Sequence, residues 1–103
     1  MNTFKFSLLT PKGKLFDSTI EFLVVPGLLG EAGVLAHHAP IVMALTSGML
    51  TAKDAGGQHV FIVGAGILEI NSQNEALVLV DFAEKSPTTE DAKNKLQTLV
   101  KAT

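Results

Sequence analysis

Phe4-Lys5-Phe6-Ser7-Leu8 alternates apolar and polar side chains, and Thr10-Pro11-Lys12-Gly13 follows at once. A period of two belongs to a strand with one buried face. Pro with its fixed φ beside a permissive Gly reads as a tight turn. The same sequence of alternation and punctuation runs down the chain. Leu15 to Val25 reads as one long strand, with Ile20, Phe22 and Val24 on one face and Glu21 and Leu23 on the other, stopped by Pro26-Gly27. Further strands are expected at Ile41–Leu45, Met49–Lys53, Gln58–Val63, Ile67–Asn71 and Ala76–Phe82. Thr46-Ser47-Gly48, Asp54-Ala55-Gly56-Gly57, Gly64-Ala65-Gly66 and Asn71-Ser72-Gln73-Asn74 separate them. Short strands with a turn signal roughly every ten residues point to an all-β sandwich or barrel. Each strand then needs a second sheet to cover its apolar face.

The pattern changes after Phe82. Ala83-Glu84-Lys85-Ser86-Pro87 reads as a charged linker. Thr88 is placed to cap a helix, with Glu90 and Asp91 in its first turn and Lys93, Lys95 and Lys101 further along, the order that complements the helix dipole. Ala92, Leu96, Leu99 and Val100 make one apolar stripe. A helix this short is marginal alone in water and is expected to dock. The predicted architecture is therefore mainly β: a two-sheet β-sandwich over residues 1–85, then one short C-terminal α-helical segment over 86–103.

Length and composition narrow the function. The 103 residues are one domain's worth, 47% of them hydrophobic and 17% charged, which excludes global disorder. Eight Lys stand against ten acidic residues, with no Arg, Trp or Tyr. Nucleic-acid binding wants a clustered positive surface and stacking aromatics, and neither is present. With no Cys there is no disulfide or thiolate chemistry. No apolar run reaches the roughly 20 residues of a membrane span, and Met1-Asn2-Thr3-Phe4-Lys5 opens no signal-peptide pattern.

Enzymatic motifs fail one by one. Gly64-Ala65-Gly66-Ile67-Leu68-Glu69 starts like a dinucleotide fingerprint but has Glu69 at the third glycine and no helix after it. Gly13-Lys14 is followed by Leu15, so it is no phosphate loop. His37 and His38, with His59 as a third ligand, suggest a metal, but adjacent residues on an extended chain point to opposite faces. No Ser lies in a nucleophile-elbow context, and no titratable pair has catalytic spacing. What stands out is a loop, Pro26 to Pro40, with Gly27, Gly30 and Gly33 at spacing three between bounding prolines. It either folds Leu28, Leu29, Val34 and Leu35 into the core or projects them as a contact surface, with Glu31 and His38 as polar points. A mean hydropathy of +0.34 in so small a chain fits an outer surface partly covered by a partner.

The run Gly30-Glu31-Ala32-Gly33-Val34-Leu35-Ala36-His37-His38-Ala39-Pro40 resembles the G-E-[LMF]-G-[IV]-[LY]-P-x-H-A-P signature of the epsilon subunit of F-type ATP synthases. The flanks agree in order. Thr10-Pro11-Lys12-Gly13-Lys14-Leu15-Phe16, Val25-Pro26-Gly27, Ser47-Gly48-Met49-Leu50, Phe61 to Ile70 and Ala76 to Lys85 are similar to the family's successive motifs, so the resemblance covers residues 3–85. It implies a β-sandwich at the foot of the rotary central stalk and no catalysis of its own: a rotor subunit linking gamma to the membrane c-ring, with the alpha/beta hexamer engaged indirectly. It further implies a c-ring contact at Leu29, Gly30, Glu31 and Ala32, and a gamma contact at Thr10, His38 and Met43. The implied location is peripheral, on the cytoplasmic face of a bacterial inner membrane. Ala32, Ala36, Gly64 and Ala65 depart from the family pattern. The family continues into a helical hairpin that in some members binds ATP through an Arg-containing motif. This sequence has room for one helix and no Arg, so neither a nucleotide nor any other cofactor is carried over. The competing expectation is a stand-alone β-sandwich that binds a ligand or protein.

Overall fold

The computed structural model describes residues 2–101, with side chains for 2–97. Its strands are β1 (Phe4–Thr10), β2 (Gly13–Ile20), β3 (Phe22–Gly27), β4 (Gly30–Leu35), β5 (Ile41–Leu45), β6 (Gly48–Asp54), β7 (Gly57–Val63), β8 (Gly66–Ile70), β9 (Glu75–Val80) and β10 (Ala83–Ser86). One helix follows, α1 (Thr89–Lys101). Hydrogen bonding runs β10-β7-β6-β3-β5-β8-β9-β1-β2, with β4 on the other side of β3. The path is continuous because β3 belongs to both layers. Phe22 to Val24 pair with β6, and Gly27 pairs with Leu45 of β5. One layer is β10-β7-β6-β3-β4 and the other β5-β8-β9-β1-β2, the expected two-sheet sandwich.

The core is the sum of the two inner faces. Leu23, Val25, Val34, Leu50, Phe61 and Val63 come from the first layer, and Phe4, Phe6, Leu8, Ile20, Leu68 and Val78 from the second. Burying each such side chain stabilises by about 1.5–3 kcal/mol. On β2, Phe16 ties the layers together. Its ring lies 5.9 Å from Phe6 in its own layer, and 5.3 Å from Phe61 and 4.9 Å from the His59 imidazole in the other. His59 in turn donates from Nε2 to Asp54 Oδ2 at 2.9 Å, closing the β6–β7 hairpin.

Three expectations are corrected. The Leu15–Val25 run is two strands, because the chain bends at Glu21, whose N–H donates to the Lys53 carbonyl at 2.8 Å. The bend resets the alternation, so Leu23 and Val25 are buried while Phe22 and Val24 are only half-covered. With apolar residues at both parities from 22 to 25, sequence alone could not set the phase. The Pro26–Pro40 segment is largely a hairpin, β3 paired with β4 from Phe22↔Leu35 to Gly27↔Gly30. Ala83–Ser86 is no linker but an edge strand, paired along β7 from Ala83↔Val63 to Ser86↔Val60. Its charges suit an edge, where one side faces water.

Pro26 is tolerated inside β3 because it occupies the gap between pairing with β6 and pairing with β5, where its missing N–H is not needed. Its carbonyl accepts from Thr46 N at 2.9 Å. The helix begins as expected, with Asp91 N donating to Thr88 Oγ1 at 3.0 Å. Ala92 is buried and Leu96 packs beside it on Val60, Ile62 and Met49, while Lys95 pairs with Glu84. The expected stripe residues Leu99 and Val100 lie outside the described side chains. Among the described residues no helix is long and apolar enough to cross a membrane.

Close approach of β8 to β9 makes Gly66 stringent. A Cβ there would lie 1.9 Å from the Leu79 carbonyl oxygen and 2.7 Å from Val80 Cα, all backbone that cannot yield cheaply. Gly66→Ala is expected to lose about 2–3 kcal/mol, roughly 10 °C in Tm for a domain of this size. Gly56→Ala, whose Cβ would meet only Asp54 Oδ1 at 3.4 Å, is expected to stay within about 0.5 kcal/mol. Thermal melts of both variants check the contrast.

The hydrogen bond from His59, followed by backbone N–H donation from Gly56 and Gly57, holds the Asp54 carboxyl below its ordinary value of 3.8. A carboxylate whose folded pKa is depressed stabilises fully above its unfolded pKa and loses that contribution as pH falls through the folded value. Chemical denaturation from neutral pH down through the carboxylate range should show this loss. Asp54→Asn, which cannot titrate, is expected to flatten that part of the profile.

Candidate interaction surface

The β3–β4 hairpin turns at Leu28-Leu29, and Gly30 re-enters the sheet with φ 131°, a backbone conformation open to glycine and costly for other residues. The tip is anchored from below, where Leu28 N donates to the Ala44 carbonyl at 3.0 Å. The leucines do not fold inward. Leu28 is largely exposed and Leu29 fully so, while only Val34 of the hairpin's return strand is buried in the core. The two alternatives divide between the residues: Leu28, Leu29 and Leu35 project, and Val34 folds into the core.

Between the tip and β5 lies an open groove of about 480 Å³. Leu29, Gly30, Glu31 and Ala32 all line it, together with Met43 and Ala44. Gly27 keeps it open, since a Cβ there would meet the Gly30 carbonyl oxygen at 2.6 Å and Met43 Sδ at 3.4 Å. Ala32, half-buried against the core, leaves space that the larger residue of the family pattern would occupy. The lining is apolar apart from the exposed Glu31 carboxylate. One acceptor on an apolar surface can orient a docked chain, but it offers no second titratable group for proton transfer.

The residues expected to face gamma are not brought together. Thr10 ends β1, its Oγ1 accepting from Lys12 N at 3.1 Å. His38 lies exposed in the β4–β5 connection and donates from Nδ1 to the Ala39 carbonyl at 2.7 Å. Met43 turns toward the core and the groove, whereas its neighbours Val42 and Ala44 face outward. The histidines are equally dispersed: His59 is held by Asp54 and His37 by Asn74. Among the described residues no group of three or more His, Cys, Asp or Glu could hold a metal ion.

A second surface escaped the sequence reading. Register aligns Ala44 with Ile67, Ile67 with Leu79 and Leu79 with Leu9, one apolar row across β5, β8, β9 and β1 on the outside of the second layer. Ile67 and Leu79 are each 40% exposed, and Val42, on the next row, 65%. Nothing in the chain covers this row, among the described residues. The signal was present in the sequence: Leu8-Leu9, Ile41 to Leu45 and Ala76 to Val80 are apolar without alternation, the pattern of strands that are covered on both faces.

Residues 3–86 match the family model of the ATP synthase delta/epsilon chain β-sandwich domain. The ATP synthase epsilon chain of Nitrobacter winogradskyi is 41% identical over 83 residues, 81% of this chain and 61% of that one. The sodium ion specific epsilon chain of Propionigenium modestum is 37% identical over 83 residues, covering 81% and 60%. The chain thus spans about 60% of the length of the curated relatives it matches. In fold it is similar to a chain of the Euglena gracilis mitochondrial ATP synthase (OSCP/F1/c-ring), with TM-score 0.79 at 18% identity over 99% of this chain and 66% of that one. A chain of the Tetrahymena thermophila mitochondrial ATP synthase central stalk and c-ring superposes with TM-score 0.66 at 10% identity, over 96% and 90%. The resemblance carried by the motifs is thereby borne out, and the chain belongs to the ATP synthase delta/epsilon family through its β-sandwich domain.

Proposed function

We propose that this protein is a rotor subunit of the central stalk of an F-type ATP synthase. It joins gamma to the membrane c-ring and so couples ion transport to ATP synthesis or hydrolysis. The reading rests on the apolar surface that the lone chain leaves bare in two places, the hairpin tip with its groove and the outer row of the second layer, which meet at Ala44. One face for each partner is what a connector needs. In this reading Leu29, Gly30, Glu31 and Ala32 receive the polar loops of the c-ring, with Glu31 accepting their hydrogen bonds. The gamma side is bounded by Thr10, beyond the Leu9 end of the row, and by His38, with Met43 backing the strand between Val42 and Ala44. The sandwich, through β10 at Ser86, is the connecting unit, and α1 is an accessory helix docked on it through Ala92 and Leu96.

The role is mechanical and non-catalytic, with chemistry left to other subunits. A close-packed interior has low compressibility and transmits load with little loss. The protein is peripheral, held on the cytoplasmic face of a bacterial inner membrane through its complex.

Reconstitution with the cognate gamma-containing F1 and with membranes carrying the c-ring tests both faces separately. Glu31→Lys and Leu29→Asp are expected to weaken membrane retention about tenfold or more and to uncouple ATP hydrolysis from ion pumping, with little change in the Tm of the isolated chain. Ile67→Glu is expected to weaken binding to gamma-containing F1 by a similar factor. Undiminished retention and coupling in the tip variants would overturn the c-ring assignment, and undiminished F1 binding in Ile67→Glu the gamma one.

A further inference from the structure

His37 and Asn74 are the two non-glycine residues with left-handed backbone among the described residues, at φ 66° and 63°, and they hold each other. His37 N donates to Asn74 Oδ1 at 2.6 Å across 37 residues of sequence, and Asn74 Nδ2 donates to the Thr3 carbonyl at 3.0 Å across 71. The two partners decide the amide's orientation, since an N–H needs an oxygen and a carbonyl needs an N–H. Asn74 is itself fixed by its own turn, its N–H reaching the Asn71 carbonyl at 3.4 Å, while Asn71 Oδ1 accepts from Gln73 N and Glu75 N. One amide side chain therefore clamps three segments: the β8–β9 turn, the start of β1 and the β4–β5 connection.

Residues held in sparsely populated backbone regions persist only where their surroundings determine them. At His37 the bond to Asn74 Oδ1 holds the backbone on the loop side, while Ala36 before it packs on the core, and the next residue is His38. We propose that Asn74 is the positioning residue of the partner-facing β4–β5 connection: it locks His37 in its left-handed conformation and so sets the direction in which His38 to Pro40 are presented. The inference rests on the reading that this connection faces gamma. Asn and Asp are the side chains that tolerate a left-handed backbone while offering an acceptor, so the position accepts very few substitutions.

Two variants separate the backbone from the bonds. Asn74→Gly keeps the backbone permissible and removes both bonds, whereas Asn74→Asp keeps the acceptor for His37 N and loses the donor to Thr3. In the isolated full chain, the His37 amide is expected to exchange with solvent at least about tenfold faster in Asn74→Gly, with a changed His38 ring NMR shift. Asn74→Asp is expected to restore most of both. Affinity for cognate gamma-containing F1 should fall about tenfold in Asn74→Gly and recover to within roughly threefold in Asn74→Asp, because ordering a segment on binding costs affinity. Unchanged exchange and shift in Asn74→Gly would overturn the positioning role. Faster exchange with F1 affinity unchanged would instead overturn the reading that the connection faces gamma, and with it the partner-facing part of the proposal.

Discussion

The fold depends on a hand-over within β3. Six residues serve two sheets: the first half pairs with β6, and Gly27 pairs with β5. A corner of this kind must have backbone with nothing in the way, and the local sequence provides it. Pro26 stands where no donor is wanted, and Gly48 stands against it where a Cβ would come within 2.7 Å of the proline ring. The layers can then face each other across one core, and Phe16 bridges them again through Phe61 and His59. If the corner opened, both inner faces would lose their covering together, which is why residues of little apolar content control a hydrophobic core.

The same corner creates the groove. Because β3 must reach β5, the hairpin that extends it is carried past the end of the sandwich. Its tip is held by main-chain bonds instead of by burial of its leucines. Side-chain truncation at Gly27 and Ala32 leaves room beside it. An exposed apolar tip anchored through its backbone keeps its shape without a partner, so binding need not order it first, and that order of events favours affinity.

Most strands were legible because alternation and turn residues agree with each other. Phe4 to Leu8 and the β6–β7 pair read correctly for that reason, as did the Thr88 cap. Legibility failed where parity was ambiguous. Phe22 to Val25 are all apolar, and a bend at Glu21, set by a long-range bond to Lys53, decided which face turned inward. It failed again at Ala83–Ser86, whose charges suit an edge strand and a linker equally. At the candidate surface, the sequence pointed to the residues of the tip because their glycines and family motif are local. The outer row of Leu9, Ala44, Ile67 and Leu79 is assembled by register between strands far apart in the chain. No local pattern encodes such a row, although the unbroken apolar runs of β5 and β9 mark strands with two covered faces.

How the two surfaces communicate follows from the bonding path between them. A force on the tip at Leu28 passes to β5 through the bond to Ala44 and through the Pro26–Thr46 and Gly27–Leu45 links beside it. From Ala44 the ladder continues to Ile67, Leu79 and Leu9 without leaving the main chain. Side-chain packing does not carry this path, so rotamer adjustment cannot absorb the load. Hydrogen bonds aligned across a sheet act in parallel and must lengthen together before the layer deforms. The core behind them, at the density of an organic solid, resists compression. A sheet bonded this way is stiff along the line that joins its two bare surfaces, from Leu28 through Ala44 to Leu9.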